Sequence, residues 1–346
     1  MRVGTWAGGM VAAVLALAPA VFSPSPSYAQ SPAEFYKGRN VDLYIGYSAG
    51  GAYDLYARVI ARHLGKHIPG NPTIVPRNME GAGSLRLTNW LYNVAPKDGT
   101  AIGTIGRGTA FDPLLGSRGA QFQADKFTWI GSANNEVSIC VAWKTSGITK
   151  LEDTLSKELI VGGTGQAADT DQFPRILNGV LGTKFKIVTG YPGGNDVTLA
   201  LERGEVKGRC GWSWSSVLAT QKRWIDDKSI IILAQLSLSK HPDLPDVPLV
   251  MDFAKTEDQQ QIFRLIFARQ VIGRPFLAPP GVPKDRAEAL RAAFMDTMKD
   301  PEFLADAEKS QLEINPVSGA DVEKLIKEIY QTPKALADKA AEFIRH

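Results

Sequence analysis

The stretch Leu43-Tyr44-Ile45-Gly46-Tyr47-Ser48-Ala49-Gly50-Gly51-Ala52-Tyr53-Asp54-Leu55 constrains this chain most. It reads as a short buried strand, a glycine-rich turn and the first turn of an amphipathic helix. Strand–turn–helix units build α/β folds, and the helix start leaves free N–H groups at the positive end of its dipole. Such a turn holds an anion without any basic side chain. The same residues contain Gly46-Tyr47-Ser48-Ala49-Gly50, which fits the G-x-S-x-G elbow of a serine hydrolase.

The unit recurs along the chain. Apolar runs predict strands over 41–46, 73–76 and 101–105, with helices over 54–64 and from 81 through 92. In the first helix Leu55/Val59 and Tyr56/Ile60/Leu64 share a face at i, i+4 spacing. A second series starts near Trp129, with strands over 137–143, 159–161, 185–188, 206–212 and 230–236. Its helices cover 170–181 and a segment ending near Arg203. The proline-rich turn at 241–248 marks a break, and the remainder reads as helical apart from an apolar run over 271–277. The pattern implies α/β architecture with parallel sheets, in two units, and no solenoid repeat.

Arg2, the apolar run from Met10 to Phe22 broken by Pro19, and Ser27-Tyr28-Ala29 predict an export signal over residues 1–29, cut near Ala29. The run is shorter than the roughly 20 residues a spanning helix needs, so a membrane anchor is not expected. A periplasmic or secreted protein follows. With Lys+Arg 39 against Asp+Glu 36, charge offers no case for nucleic acid or a membrane surface. The length of 346 residues favours two domains, and the 44% hydrophobic content is that of an ordinary globular protein. Cys140 and Cys210 both lie in runs that read as strands. In an oxidising compartment they can pair; two separate buried thiols fit the sequence equally well.

A hydrolase built on Ser48 needs a histidine base, an acid, and N–H groups from an earlier strand-to-helix loop. Too few residues precede Ser48 in the mature chain to supply that loop. Of the four histidines, His63 and His67 end the following helix, His346 is terminal, and His241 sits in the proline-rich turn. His63 and His67 have the spacing of a zinc pair, but no acid lies between them, and Gly65 and Pro69 end the helix there. Cationic or hydrogen-bonded residues near a helix C-terminus are expected instead, and no metal. No glycine-rich segment fits a nucleotide fingerprint, so no cofactor is expected.

What remains is a set of backbone cradles at 46–54, 77–84, 162–169 and 190–194. Parallel sheets place such junctions along one edge. Two such edges facing each other form a cleft in which a carboxylate accepts N–H bonds from both units. Tyr47, Tyr53, Tyr191, Trp212 and Trp214 lie near these turns and suggest a partly apolar pocket. Asp54, in a first helical turn, reads as a cap that orients its loop, with contact to a ligand hydroxyl or amine as the alternative.

In order, these segments resemble the Bug-type substrate-binding proteins of tripartite tricarboxylate transporters. Residues 46–54 are similar to that family's P-G-G-x-x-D turn, Asn78-Met79-Glu80-Gly81-Ala82-Gly83-Ser84 to its N-x-P-G-A-G-G, and Ala95-Pro96-Lys97-Asp98-Gly99-Thr100 to its A-P-D-G-Y-T. Segments 162–165, 244–248 and 276–283 match as well, so the resemblance spans nearly the whole mature chain. It implies a type II-like periplasmic binding fold, with two α/β domains, a hinge and an interdomain cleft. The domain limits expected here are 30–132 with 239–346, and 133–238, with crossovers near residues 133 and 238.

The resemblance also implies a monomeric binding protein, not an enzyme, that carries a small carboxylate to the permease subunits of a transporter. In such proteins backbone N–H groups and waters from one loop of each domain hold the ligand. Carried over, the ligand-binding set is Tyr47, Ser48, Ala49, Gly50, Gly51 and Asp54, with Asn78, Gly81, Ala82 and Gly83 beside them. Thr164, Gly165, Gln166, Ala168 and Asp169 supply the second loop, with Tyr191 and Trp212 as walls. The chain departs from the family at Ser48-Ala49, at Glu80, over residues 166–169, and in the tryptophan-rich 211–216, all of which bear on ligand identity. The aromatic residues favour an aromatic or bulky carboxylate over citrate. The rival readings are a secreted serine hydrolase using Ser48 and a receptor that presents its ligand to a sensor kinase.

Overall fold

In the computed structural model, which describes residues 1–6, 8–9 and 30–345, each glycine-rich turn named above joins a strand to a helical segment. The cleavage site expected near Ala29, most of the leader and His346 lie outside the described residues. Met1–Gln30 and Ser31–His346 are separate compact units, and among the described residues all regular structure lies in the second. No described helix is long and apolar enough to cross a membrane.

The chain begins with α1 (Pro32–Tyr36), β1 (Asn40–Ile45), α2 (Ala52–Leu64), β2 (Thr73–Asn78), α3 (Leu85–Asn93), β3 (Ala101–Thr104) and β4 (Thr128–Ser132). It continues through β5 (Ser138–Trp143), β6 (Leu159–Gly162), α4 (Asp169–Leu181), β7 (Phe185–Val188), α5 (Gly194–Arg203), β8 (Gly208–Ser213), α6 (Trp214–Asp226) and β9 (Ile230–Leu236). It closes with α7 (Glu257–Phe267), β10 (Pro275–Ala278), α8 (Lys284–Thr297), α9 (Pro301–Lys309), β11 (Val317–Ser318), α10 (Gly319–Ile329) and α11 (Lys334–Arg345). The fold is α/β.

These strands form a sheet of order β11-β4-β10-β3-β1-β2 and a second of order β7-β6-β8-β5-β9. β1 is parallel to β2 and β3, and β6 is parallel to β7 and β8. Contrary to the all-parallel expectation, β10 runs antiparallel to β3 and β4, and β5 antiparallel to β8 and β9. These two are the strands with which the chain enters each sheet from the other. The C-terminal edges of the sheets face each other. A chain leaving one sheet at that edge therefore enters its neighbour from the same edge, against the direction of the strands already there.

Beyond β9 the chain stays against the end of that strand. The buried amide of Gln235 donates from Nε2 to the carbonyls of Leu244 (2.8 Å) and Val247 (2.9 Å), and its N–H donates to Pro248 (2.8 Å). A buried amide must find partners, and the proline-rich turn supplies them. α7 then packs on α11, and α11 on α4 of the second sheet. The chain returns through 268–274, alongside the outgoing passage: Glu136 N–H donates to Gln270 O at 2.8 Å and Gly273 N–H to Asn134 O at 3.0 Å.

The apolar face predicted for the first helix is buried at Tyr56, Val59, Ile60 and Leu64, each contributing roughly 1.5–3 kcal/mol of transfer free energy. Cys140 on β5 and Cys210 on the adjacent β8 are joined as a disulfide.

Candidate binding site

Between the facing edges lies a cavity of about 400 Å³. The first sheet contributes Tyr47 and Gly50–Tyr53 from the β1–α2 turn, Gly106–Gly108 beyond β3, and Arg274 at the start of β10. The second contributes Thr164, Ala168–Thr170 at the start of α4, Gly194 and Asn195 at the start of α5, and Arg209 and Gly211–Ser213 on β8. Helix starts expose N–H groups that have no partner within the helix. Among the described residues the N–H groups of Gly51, Ala52 and Tyr53 on α2, and of Gly194 and Asn195 on α5, have no acceptor.

Other cradle amides are used by the protein itself. Gly50 N–H donates to Asp54 Oδ2 (3.0 Å), Thr164 N–H to Thr170 Oγ1 (3.0 Å) and Gly165 N–H to Asp171 Oδ2 (2.9 Å). Of the residues singled out in the sequence, Tyr47, Gly50, Gly51, Tyr53, Thr164, Ala168, Asp169 and Trp212 line the cavity, and Trp214 does not. Asp54 and Asn78 stand behind the turn. Asp54 accepts from Gly50, from Arg58 Nε (2.9 Å) and from Asn78 Nδ2 (2.9 Å). Burial pushes its carboxyl up, but these donors outweigh burial and hold it below the ordinary carboxylate range. Tyr191 points away from the cavity, its hydroxyl 3.5 Å from Glu205.

The remaining cradle residues fasten the two halves together. Gly83 (φ 67°) and Gly165 (φ 138°) come from opposite sheets and pack main chain against main chain. A Cβ at Gly83 would meet Ala168 N at 2.7 Å, and one at Gly165 would meet the backbone of Ala82. Gly81, Ala82 and Gln166 belong to these same two turns and do not line the cavity. On the other rim Ser48 Oγ lies 2.8 Å from Asp196 Oδ2 and 3.1 Å from Asn195 Oδ1, while Asn195 Nδ2 donates to Ala49 O at 3.1 Å.

Ser48 is thus bonded across the rim, and no described histidine is hydrogen-bonded to it. His63 and His67 lie at and just beyond the C-terminus of α2, where they bond Asp306 (3.0 Å) and Asp300 (2.7 Å) of α9 and its cap. His63, Asp300 and Glu302 cluster there, but the Lys66 ammonium already sits 2.6 Å from each of the two carboxylates. His241 Nδ1 accepts the Asp243 N–H at 3.1 Å, a local turn contact.

Three buried arginines at the cavity were not anticipated from the sequence. Arg107 donates from Nε to Asp169 Oδ2 (2.5 Å), from Nη1 to Ser213 Oγ (3.1 Å) and from Nη2 to Ser138 Oγ (2.6 Å). Burial, the largest single influence, would lower its pKa; the Asp169 charge, together with Tyr53, Glu136 and the Asp169 hydrogen bond, outweighs burial and raises it. Arg274 lies 3.3 Å from Glu136, donates to Ser216 Oγ at 2.7 Å, and covers the Tyr53 ring at 4.5 Å. Arg209, 7% exposed, donates from Nη1 to Gly194 O (2.9 Å) and Thr198 Oγ1 (3.3 Å), and lies 4.5 Å over the Trp212 ring. Among the described residues it has no carboxylate partner, and burial lowers its pKa to about 9. The overlooked signal was an arginine inside an apolar run: Arg209 within 206–212 and Arg274 within 271–277.

No protein-family model matches the sequence, and no curated protein sequence does. Solved structures do match. The periplasmic binding protein BugD superposes with a TM-score of 0.71 at 20% identity, over 88% of this chain and 98% of that one. The fold is that of the Bug-type periplasmic binding proteins. MatC from Rhodopseudomonas palustris, with bound malate, gives 0.69 at 18% identity over 87% of this chain and 99% of its own. Rpa4515 of R. palustris, with adipate, gives 0.68 at 17% over 88% and 97%. In the Bug-type fold of this chain, the cavity lies between two α/β halves.

Proposed function

We propose that this protein is a periplasmic receptor that captures a small carboxylate between its two halves and hands it to the permease subunits of a tripartite tricarboxylate-type transporter. The observation that carries this reading is the cavity itself. Its walls come from both sheets, and contacts between the halves fasten both rims. A guest inside touches both halves only when they are closed, so its binding free energy favours closure. The adjacent passages at 133–137 and 268–274 serve as the hinge. One half holds residues 30–132 with β10, β11 and their helices; the other holds 138–267, with α11 packed on it. The free N–H groups at the starts of α2 and α5 suit an anion, and MatC and Rpa4515 hold malate and adipate.

A thermal-shift screen of di-, tri- and aromatic carboxylates tests the reading, because a ligand that binds only the folded state raises the melting temperature. Small-angle scattering should show a smaller radius of gyration with the strongest hit. Stabilisation by sugars or free cations alone would refute it.

A further inference from the structure

We propose that Arg209 is the residue that takes the charge of the bound carboxylate, through Nη2 of its guanidinium. The inference rests on reading the cavity as a carboxylate site and names the side chain that selects for it. Arg209 lines the cavity and is nearly fully buried. Its Nη1 is anchored by Gly194 O and Thr198 Oγ1, and the Trp212 ring fixes the plane. Among the described residues Nε and Nη2 have no acceptor. Nε is closed off by its surroundings, so Nη2 is the donor left to give a carboxylate a charge-assisted hydrogen bond.

The charge around it points the same way. The other buried arginines of the cavity each have a carboxylate: Asp169 for Arg107 and Glu136 for Arg274. The groups that act on Arg209 are Tyr47, a buried phenol held neutral, and Arg274, a like charge; no carboxylate is among them. Glu202 also lines the cavity, but it is exposed at the mouth, 3.9 Å from Arg223. A buried cation without a counter-charge destabilises a fold, so its place is explained if the counter-charge arrives with the ligand. The free amides of α2 and α5 then orient the rest of the guest, while Arg209 rejects neutral analogues, which would leave Nη2 unpaired.

The test compares wild type with Arg209→Met and Arg209→Lys, with Arg274→Met as a control. Melting temperatures are read without ligand and over a titration of malate, adipate and benzoate. Without ligand, Arg209→Met is expected to melt at or above wild type, whereas Arg274→Met, which strands Glu136, melts lower. With carboxylate, Arg209→Met should lose roughly 100-fold or more in affinity. Arg209→Lys should fall between, because a point charge replaces the anchored guanidinium. An Arg209→Met protein that binds like wild type overturns the inference and leaves the carboxylate reading standing. So does one that melts several degrees lower without ligand, which marks a structural arginine. If no probe shifts wild type, the carboxylate reading falls and this inference with it.

Discussion

Arg107 and Arg209 reach the same cavity from opposite sheets, both buried, and their surroundings give them opposite roles. Every polar partner of the Arg107 guanidinium belongs to the other half: Asp169 on α4, Ser213 on β8 and Ser138 on β5. It is a clasp across the cleft. The partners of Arg209 lie in its own half, and Nη2 of its guanidinium is left over. Residue type and burial are alike, so what the charge meets separates an arginine that fastens the halves from the one proposed to receive a guest.

The largest effect that could break this contrast is Arg107→Met. Removing the clasp leaves Asp169 buried with only Arg269, 3.3 Å away, as its cation, and should cost roughly 3–5 kcal/mol in urea unfolding. Stability equal to wild type would mean that Arg107 and Arg209 do not differ. Next, replacing both Cys140 and Cys210 by alanine should cost roughly 2–4 kcal/mol, since their bond closes a long loop. Cys210 adjoins Arg209 on β8, so calorimetry on this variant asks whether the strand must be braced for recognition; carboxylate affinity should fall less than about tenfold.

A pH-dependent effect lies behind the clasp. Burial pushes the Asp112 carboxyl up to about 7, although Gln172 (2.9 Å) and Arg269 pull it down. Between about pH 4 and about 7 the folded protein holds a proton there that the unfolded chain has released. This group's contribution to stability is therefore greatest in acid and is lost as pH rises toward and through the folded value. Asp112→Asn should flatten that part of the pH profile of urea midpoints; an unaltered profile would remove Asp112 from the account. The smallest effect is expected of Ser48→Ala, which loses the rim bonds to Asp196 and Asn195 and about 1 kcal/mol. Fluorophosphonate should leave Ser48 of the wild type unlabelled; labelling would restore the hydrolase reading.

Much of the fold was legible because it is local. Strand periodicity and glycine turns placed β1, β3, β6, β7 and β9 within a residue or so, and put the turns on one edge. Strand direction was not legible, since an apolar run reads the same whether β5 or β10 runs with its neighbours or against them. The anchoring of the proline-rich turn was not legible either, for a different reason: it depends on Gln235 meeting carbonyls beyond residue 241. At the site, the glycine turns that read as backbone cradles stand around the cavity, but some of their N–H groups have other duties. Gly50 and Gly165 look like anion holders until Asp54 and Asp171 are seen to occupy their N–H groups. The arginines were missed because their meaning lies in partners remote along the chain, or, for Arg209, in the lack of one.

Where Gly83 meets Gly165, bare backbone abuts bare backbone. Nothing at that point can compress or swing aside. In the receptor proposed above, this contact is a fixed end of travel that gauges cargo for bulk before any charge is weighed, and a single methyl group added at either glycine would wedge the mouth ajar.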